Sequence, residues 1–531
     1  MTSFANASLR RGGSVFLLTL TARPFSCASS SSSSVASFVN AIPHSRLGVL
    51  LPSIITLRYS SLLPQQQQHL SSMSGVTDPY SNTSGIIHAD VSLIEGCEFD
   101  ITRTRLLTPR VPLPPKTKTE CNNGKHENTF GVASGGTPCV VYWMIRDVRT
   151  ADNWSLLFAQ NIAKKIGLPL RVVYALPPPP DDREAATAEA GDDGSPPPKP
   201  SDMALTARHG KFLLDGLKVV SNEFEEKGVP FTVLHARRGR DHVGHDVFRD
   251  YCLSPAMCDA YAVICDMSPL RHHRTWVEKQ AAPSFEGAGV PFYQVDAHNI
   301  VPVWIASNKR EVGARTLRPK INGVFARYCT QFPEFEGNIH NKGGTESGNE
   351  NRGPPPWEDI EEYLNLDTSI GSVDGMRGGH EMAMTRFHDF CTSKQHGLKN
   401  FDTLRNDPNY NNVCSNLSPW INAGNVSFQR LALNVRALKA HTNGTAAYIE
   451  EGVVRRELSD NFVYYTPDAY DSIDAAAGWA RESLDLHASD VRDYVYTWKE
   501  LEAGMTHDDL WNAAQLQLVR EGKMHGFMRS E

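Results

Sequence analysis

Five short apolar runs, separated by segments long enough for a helix, constrain the fold of this chain more than any other feature. Each run is apolar on both of its faces, which is typical of parallel strands that helices cover on both sides of a sheet. The sequence therefore predicts an α/β domain over about residues 140–330, built on a parallel, Rossmann-like sheet. The runs span 139–145, 170–175, 230–234, 261–265 and 292–295.

The segment after the first run is predicted to be the first crossover helix, over 153–166. No GxGxxG follows the first run, so the usual dinucleotide-binding fingerprint is absent. The apolar residues of the crossover fall on one helical face and predict that this face packs on the sheet: Trp154, Leu157, Phe158, Ile162 and Ile166.

From about Glu381 the hydrophobic period becomes that of helices, as in the stretches that begin at Phe428, Val454 and Leu510. The C-terminal third is therefore predicted to be all-α. The predicted domains are an α/β domain over 134–334, with a Pro-, Ala- and Asp-rich disordered insert at 176–203, a Gly-rich interdomain linker over 335–379 and a helical domain over 380–531.

The first 77 residues have a composition of their own. They contain five arginines, no acidic residue and a run of six serines, which is typical of an organelle transit segment. Their apolar patches are too short, or too interrupted by proline, to cross a bilayer. We expect a disordered leader directing the chain to a chloroplast or mitochondrion and no membrane association. Met73 is an alternative start, which would give a nuclear or cytosolic form.

Charge and cysteine content restrict the function classes. The formal net charge is −7, so nucleic-acid binding requires a local basic surface. The stretch 305–331 offers six basic residues against one acidic residue. None of the ten cysteines has CxxC spacing, so neither a metal site nor a disulfide framework is indicated.

Three C-terminal segments carry residue types suited to binding or electron transfer. In 405–420, Ser415, Asn416 and Ser418 form a turn before a proline, where small polar groups can hold phosphate oxygens. The alternative interpretation of this segment is an ordinary turn with a helix cap.

The other two segments are 453–462 and 506–529. Glu457 borders the apolar stripe of its helix, and the alternative is a surface ion pair with a neighbouring arginine. Trp511 lies beside the apolar stripe of the last long helix, and the alternative is a core aromatic residue.

Together and in this order, these segments resemble the flavin domain of the class II cyclobutane pyrimidine dimer photolyases. The segments 140–154, 264–276 and 295–321 also resemble signature segments of that family, and the likeness covers 138–529 apart from the two inserts. It implies an α/β domain followed by an all-α FAD-binding domain. It also implies light-driven DNA repair, in which an electron from excited reduced FAD splits the dimer.

The resemblance further implies roles for individual residues. Glu457 matches the carboxyl that contacts the dimer, where an apolar wall can keep it protonated. Trp511 matches one of three tryptophans that relay electrons to the flavin, and Arg405 and Asn406 match the motif that meets the lesion strand. The FAD-contacting positions are Phe401, which replaces a family tyrosine, Ser415, Asn416, Leu417, Ser418 and Arg529.

The resemblance implies a monomer that binds DNA containing pyrimidine dimers. It also implies a possible antenna chromophore, which no residue here identifies. Family members continue past the position of Arg529 into a helix with the other two relay tryptophans, and Ser530 replaces a family methionine. We therefore expect a truncated flavin domain with apolar surface exposed on the helices that end at Gly522. Two alternatives stay open: a truncated product with impaired FAD binding, and a cryptochrome-like blue-light receptor.

Overall fold

The computed structural model describes most of the chain beyond residue 85. The expectations for 1–77, and for most of the insert at 176–203, lie outside the described residues. Up to Arg529 the described residues belong to one compact unit. They are 86–109, 126–127, 133–134, 138–177, 205–235, 247–252, 254, 256–338, 354–410 and 412–530.

A six-stranded sheet forms the centre of the N-terminal part, in the order β1-β6-β5-β2-β3-β4. The five predicted strands are present within two residues of their predicted ends, and all five are parallel. The edge strand β1 is antiparallel to β6, and at three residues it is too short to leave a periodic signal in the sequence. The strands are β1 Thr104–Leu106, β2 Cys139–Met144, β3 Leu170–Ala175, β4 Phe231–Leu234, β5 Ala260–Asp266 and β6 Phe292–Val295.

The predicted first crossover is confirmed as helix α1, Trp154–Ile166. The side chain of Asn153 accepts the N–H groups of Ser155 and Leu156 and so begins the helix. Gly167 ends it with a φ of 72°, a left-handed conformation that glycine adopts at low cost.

Both faces of the sheet are buried, as the apolar runs predict. Val140 and Tyr142 of β2 belong to the core on the side of α1. Val141 and Trp143 belong to the core on the opposite side. The strand order reverses between β2 and β5, which leaves a crevice at the carboxyl ends of these strands.

The C-terminal third is helical, as predicted. Its core includes Phe390, Leu431 and Tyr448. The predicted linker contains a helix, Trp357–Leu364, whose Ile360 packs into the core of the α/β domain. The helices of this region are Trp357–Leu364, His380–Thr392, Phe401–Leu404, Ser418–Asn422, Phe428–Ala437, Thr442–Ile449, Arg456–Tyr465, Gly478–Leu486, Trp498–Ala503, Asp509–Glu521 and Gly526–Ser530.

Further helices surround the sheet in the α/β domain and connect it to the helical region. Two π-helical segments interrupt the regular pattern, at Thr275–Ala281 and Glu450–Arg455. The remaining helices are Ala207–Glu226, Val247–Cys252, Arg271–Arg274, Ala282–Gly287, Val303–Ala306 and Ala314–Tyr328.

The three helices from Gly478 to Glu521 contain no buried residue, and Val491, between two of them, is 96% exposed. This matches the expectation of exposed apolar surface near Gly522. Within the described ranges, no helix combines the length and apolar character that a bilayer span requires.

Candidate functional site: the interdomain turn, the 414–418 turn and two cavities

The turn at 296–303, which follows β6, is held through its backbone N–H groups by two buried carboxyls. Asp296 accepts the N–H groups of Asn299 at 3.1 Å and Val303 at 2.8 Å. Glu457, from helix Arg456–Tyr465, accepts that of Ile300 at 2.6 Å. A side chain of the helical domain thus joins two of the segments on which the family resemblance is based.

The carbonyl groups of the same turn are bound by arginines. Arg103 is 1% exposed and donates to the carbonyls of Asp296, Asn299 and Ile300. Arg456 donates to the carbonyl of His298 at 3.2 Å. The turn therefore has partners for its donors and its acceptors, which is the condition for burying irregular backbone.

A bidentate ion pair crosses between the two domains beside this turn. Both terminal nitrogens of Arg146, which follows β2, donate to Asp460, at 2.7 and 3.0 Å. The amide of Asn299 donates to Asp460 at 2.9 Å and to Asp296 at 3.1 Å. Although burial opposes it, the Arg146 guanidinium lowers the pKa of Asp460.

The Glu457 side chain is buried, which is one of the two alternatives that the sequence leaves open. Burial raises its pKa to about 8, against the opposing effects of Arg456 and of the Ile300 N–H group. Below that pH the carboxyl is mostly protonated. Its second oxygen is 3.4 Å from the Val301 nitrogen, a weak contact that leaves this oxygen free to carry a proton.

The predicted turn before Pro419 is present. Asn416 has a φ of 55°, and its buried Oδ1 has no hydrogen-bond partner among the described residues. Leu417 is 1% exposed, and Ser418 begins the helix Ser418–Asn422. A buried polar atom without a partner is uncommon in native proteins, and this makes the turn a candidate binding site.

Tyr448 lies at the centre of an aromatic cluster next to this turn. Its ring centroid is 5.0 Å from that of Phe390, 5.5 Å from Phe401 and 5.3 Å from Phe428. Burial raises the pKa of its hydroxyl, and the Ser415 side chain beside it has the opposite effect. Phe401, expected near the cofactor, is thus a buried member of the wall that adjoins the turn.

Arg405 lies on the outer side of Phe401, with its guanidinium 5.7 Å from the ring centroid. It forms an ion pair with Glu451 at 3.3 Å, and the neighbouring Asn406 is exposed. Glu451 could not be identified from the sequence, because no periodic pattern distinguishes it from a solvated acid. The structure places it in the π segment Glu450–Arg455, a feature that is frequent at functional sites.

Close packing fixes this π segment. A Cβ atom at Gly452 would lie 1.6 Å from the Phe428 ring, so any other residue would require this ring to move. Phe428 in turn packs on Tyr448, at 5.3 Å between the ring centroids. The π segment and the aromatic cluster therefore form one packed unit.

Trp511 and Arg529 lie elsewhere in the helical domain. Trp511 is 37% exposed and shares a cavity of about 270 Å³ with Trp498, Leu501, Glu502 and Gln515. Neither Ser415 nor Glu457 lines that cavity. Arg529 is exposed and donates to the carbonyl of Met524 at 3.3 Å.

A second cavity, of about 160 Å³, opens at the carboxyl ends of β2 and β3. Trp143 and Trp276 line it, and Trp276 lies on the π segment Thr275–Ala281. Burial lowers the pKa of His272 and of His273, which also line it, so both rings are neutral at pH 7. The cavity is aromatic, partly enclosed and uncharged.

The basic stretch 305–331 is partly neutralised by ion pairs. Lys320 pairs with Glu311, Arg318 with Glu450 and Arg327 with Asp100. Lys309 and Arg315 are exposed. The local charge excess that the sequence predicts is therefore smaller in the structure.

Comparison with known proteins gives consistent results. The DNA photolyase family profile matches residues 140–336. The chain is 38% identical to a deoxyribodipyrimidine photo-lyase of Potorous tridactylus, over 73% of this chain and 65% of the relative. It is 35% identical to a deoxyribodipyrimidine photo-lyase of Arabidopsis thaliana, over 73% of this chain and 72% of the relative.

The fold is similar to that of a bacterial class III photolyase from Agrobacterium tumefaciens. The TM-score is 0.50 at 20% sequence identity, with 74% of this chain and 71% of the other covered.

Proposed function

The chain belongs to the DNA photolyase family, and from that premise we propose that it repairs ultraviolet-damaged DNA by splitting cyclobutane pyrimidine dimers in the light. We assign it to class II, on the resemblance of 295–321 and 453–462 to that class. The observation that carries the proposal is the junction of these two segments through Glu457 and Ile300.

FAD is the cofactor that we propose for the helical domain. The turn at 414–418 fits such a group, since Asn416 Oδ1 is a buried acceptor that lacks a partner within the described chain. The chemistry that FAD supplies when bound is donation of an electron to the dimer after the reduced cofactor absorbs light. The protein supplies position and electrostatics.

In this proposal the turn residues orient the cofactor. Ser415 and Ser418 carry hydroxyl donors suited to phosphate, and the Asn416 amide can donate or accept according to its orientation. Leu417 and Phe401 supply the apolar wall and exclude water, and Arg529 is a further candidate contact. Trp511 is proposed as part of the electron relay, although its cavity is not lined by the other candidate residues.

We propose that the lesion is recognised by the rim beside Phe401, the surface that Arg405 and Asn406 form. Arg405 and Asn406 meet the strand from which the dimer is flipped, and a dimer costs less to flip than paired normal bases. We propose Glu457 as the carboxyl that donates its proton in a hydrogen bond to a thymine carbonyl. Its burial and its pKa of about 8 support that role. Glu451 is a second candidate, since it pairs with Arg405.

We propose that the cavity at the ends of β2 and β3 holds an antenna chromophore. Its lining by Trp143 and Trp276 suits a planar, uncharged ring system, and it lies where ligands bind in open parallel sheets. A Trp276→Ala substitution is expected to abolish any chromophore absorption while dimer splitting under saturating light persists. Loss of dimer splitting under the same light would contradict this assignment.

The test of the proposed function combines an absorption spectrum with a repair assay. Purified protein is expected to carry a flavin spectrum and, in the light, to remove dimers from ultraviolet-treated duplex DNA. Protein that retains flavin but removes no dimers would favour a light receptor. Protein that lacks flavin would favour an inactive product.

A further inference from the structure

Glu450 holds two arginines that come from different elements. The Nε and Nη2 atoms of Arg318, from helix Ala314–Tyr328, donate to the two Glu450 oxygens at 2.9 and 2.6 Å. Arg455 Nε is 3.4 Å from Glu450 Oε1. One carboxylate thus fixes the distance between two guanidinium groups.

The π-helical geometry makes this arrangement possible. Glu450 and Arg455 are five residues apart, and the i to i+5 bonding of a π segment brings such residues onto one side. In an α-helix the neighbouring positions are three and four residues apart. The packing of Gly452 on Phe428 holds the segment in this form.

Both arginines retain hydrogen-bond donors that face solvent. The Arg455 side chain is 56% exposed, and its two terminal nitrogens have no partner among the described residues. The Arg318 side chain is 39% exposed, and its Nη1 likewise has no partner within the described chain. Two guanidiniums against one carboxylate leave a net positive charge, and free guanidinium donors match phosphate oxygens.

This cluster lies beside the rim proposed to meet the lesion. Glu451, the next residue after Glu450, pairs with Arg405 at 3.3 Å. The arginine pair and Arg405 are therefore connected through two consecutive carboxylates of one π segment.

We infer that Arg318 and Arg455, spaced by Glu450, bind phosphates of the DNA backbone next to the flipped dimer. The inference rests on the proposed function, because it assumes that DNA is the partner. Glu450 is a positioning residue: it touches no phosphate and sets the spacing of the groups that do. The negative charge of its carboxylate also weakens the non-specific attraction of this surface for DNA. Glu450 therefore lowers the total affinity for DNA while it fixes the spacing of the two arginines against the phosphates.

The inference is tested by the salt dependence of binding to undamaged and dimer-containing duplexes. Arg455→Gln and Arg318→Gln are each expected to reduce the slope of log K against log salt by about 0.9, the value for one lost phosphate contact. Arg481→Gln is the matched control, because Arg481 is an exposed arginine paired with Asp474 at 3.8 Å. Slopes for Arg455→Gln and Arg318→Gln equal to that of Arg481→Gln would overturn the inference.

The Glu450→Gln variant distinguishes a positioning role of Glu450 from a purely electrostatic effect of its negative charge. We expect the Glu450→Gln variant to bind undamaged duplex at least as tightly as the unmodified protein does. Its preference for dimer-containing over undamaged duplex should fall at least about threefold. Unchanged preference would overturn the positioning role. The slopes on undamaged DNA remain informative even if the protein repairs nothing, so failure of the proposed function is distinguished from failure of this inference.

Discussion

Asp460 accepts two hydrogen bonds from Arg146, at 2.7 and 3.0 Å, and this ion pair joins the helical domain to the end of the central strand β2. The two side chains are 10% and 17% exposed. At that burial a charge left without its partner is costly to the fold. Loss of either partner would therefore destabilise the junction between the two domains.

Removal of either partner of this pair is expected to destabilise the protein strongly. Asp460→Asn or Arg146→Gln should lower the free energy of unfolding by about 3–5 kcal/mol, because each leaves a buried charge without its partner. The double variant should lose less than the sum of the two. Urea unfolding measures all three values.

The Arg481–Asp474 pair is the control for this prediction, because its side chains are 46% and 71% exposed. Arg481→Gln should change the free energy of unfolding by less than about 1 kcal/mol. Equal effects at the buried and the exposed pair would contradict the interpretation of Asp460 as a buried interdomain partner.

Glu457 should make stability depend on pH. Its pKa rises from an ordinary 4.5 to about 8 on folding, so the native state keeps a proton that the unfolded state loses. The stability it contributes is fully present below pH 4.5 and is lost as the pH rises through 8, by roughly 3–5 kcal/mol. In Glu457→Gln the part of this decline between about pH 6 and 8 should disappear, as measured by urea unfolding, while the raised pKa values of Asp296 and Asp266, each about 6, still contribute at lower pH.

The exposed Glu482 provides the comparison for Glu457. Glu482→Gln should leave the pH dependence as it is in the unmodified protein. A Glu457→Gln variant with the full decline would mean that Glu457 is ionised in the native state, and it would remove the proposed proton donor.

A substitution at Gly452 tests the packing that holds the π segment Glu450–Arg455 in place. In Gly452→Ala the new methyl group would overlap the Phe428 ring, and the overpacking should cost about 1–3 kcal/mol of unfolding free energy. Combination with Phe428→Leu should cost less than the two changes added together, because a smaller side chain makes room. Gly323→Ala is the control: the glycine is helical and has open space around it, so the change should stabilise the protein by up to about 1 kcal/mol.

Asn416 tests the proposed cofactor turn. Asn416→Gly keeps the left-handed backbone, at a φ of 55°, and removes the amide. FAD affinity should then fall about 5- to 20-fold, the effect of one or two lost hydrogen bonds, while the unfolding midpoint changes little. Equilibrium dialysis with FAD gives the affinity. An unchanged affinity would show that the amide faces no ligand.

The sheet and the helical third could be predicted from sequence because they depend on local periodicity. Strand β2 is apolar at every position and α1 has one apolar face, and both formed where the pattern predicts. Strand β1 could not be predicted, since three residues carry no period. The burial of Glu457 could be predicted only in part, because its position beside an apolar stripe fits a surface ion pair as well.

Long-range partners could not be predicted. The pairing of Arg146 with Asp460 joins residues 314 positions apart, and no spacing rule connects them. The role of Glu450 depends on a π segment, whose i, i+5 geometry differs from the helical period used to interpret the sequence. The contacts proposed for Ser415, Trp511 and Arg529 remain predictions from family resemblance.

The most direct test of the central claim is a count of cyclobutane dimers in ultraviolet-treated duplex DNA after incubation with the purified chain, in blue light and in the dark. We expect dimers to disappear in the light only, with flavin bound at close to one per chain. Undiminished dimers in the light, from protein that carries its flavin, would contradict the claim that this chain repairs DNA.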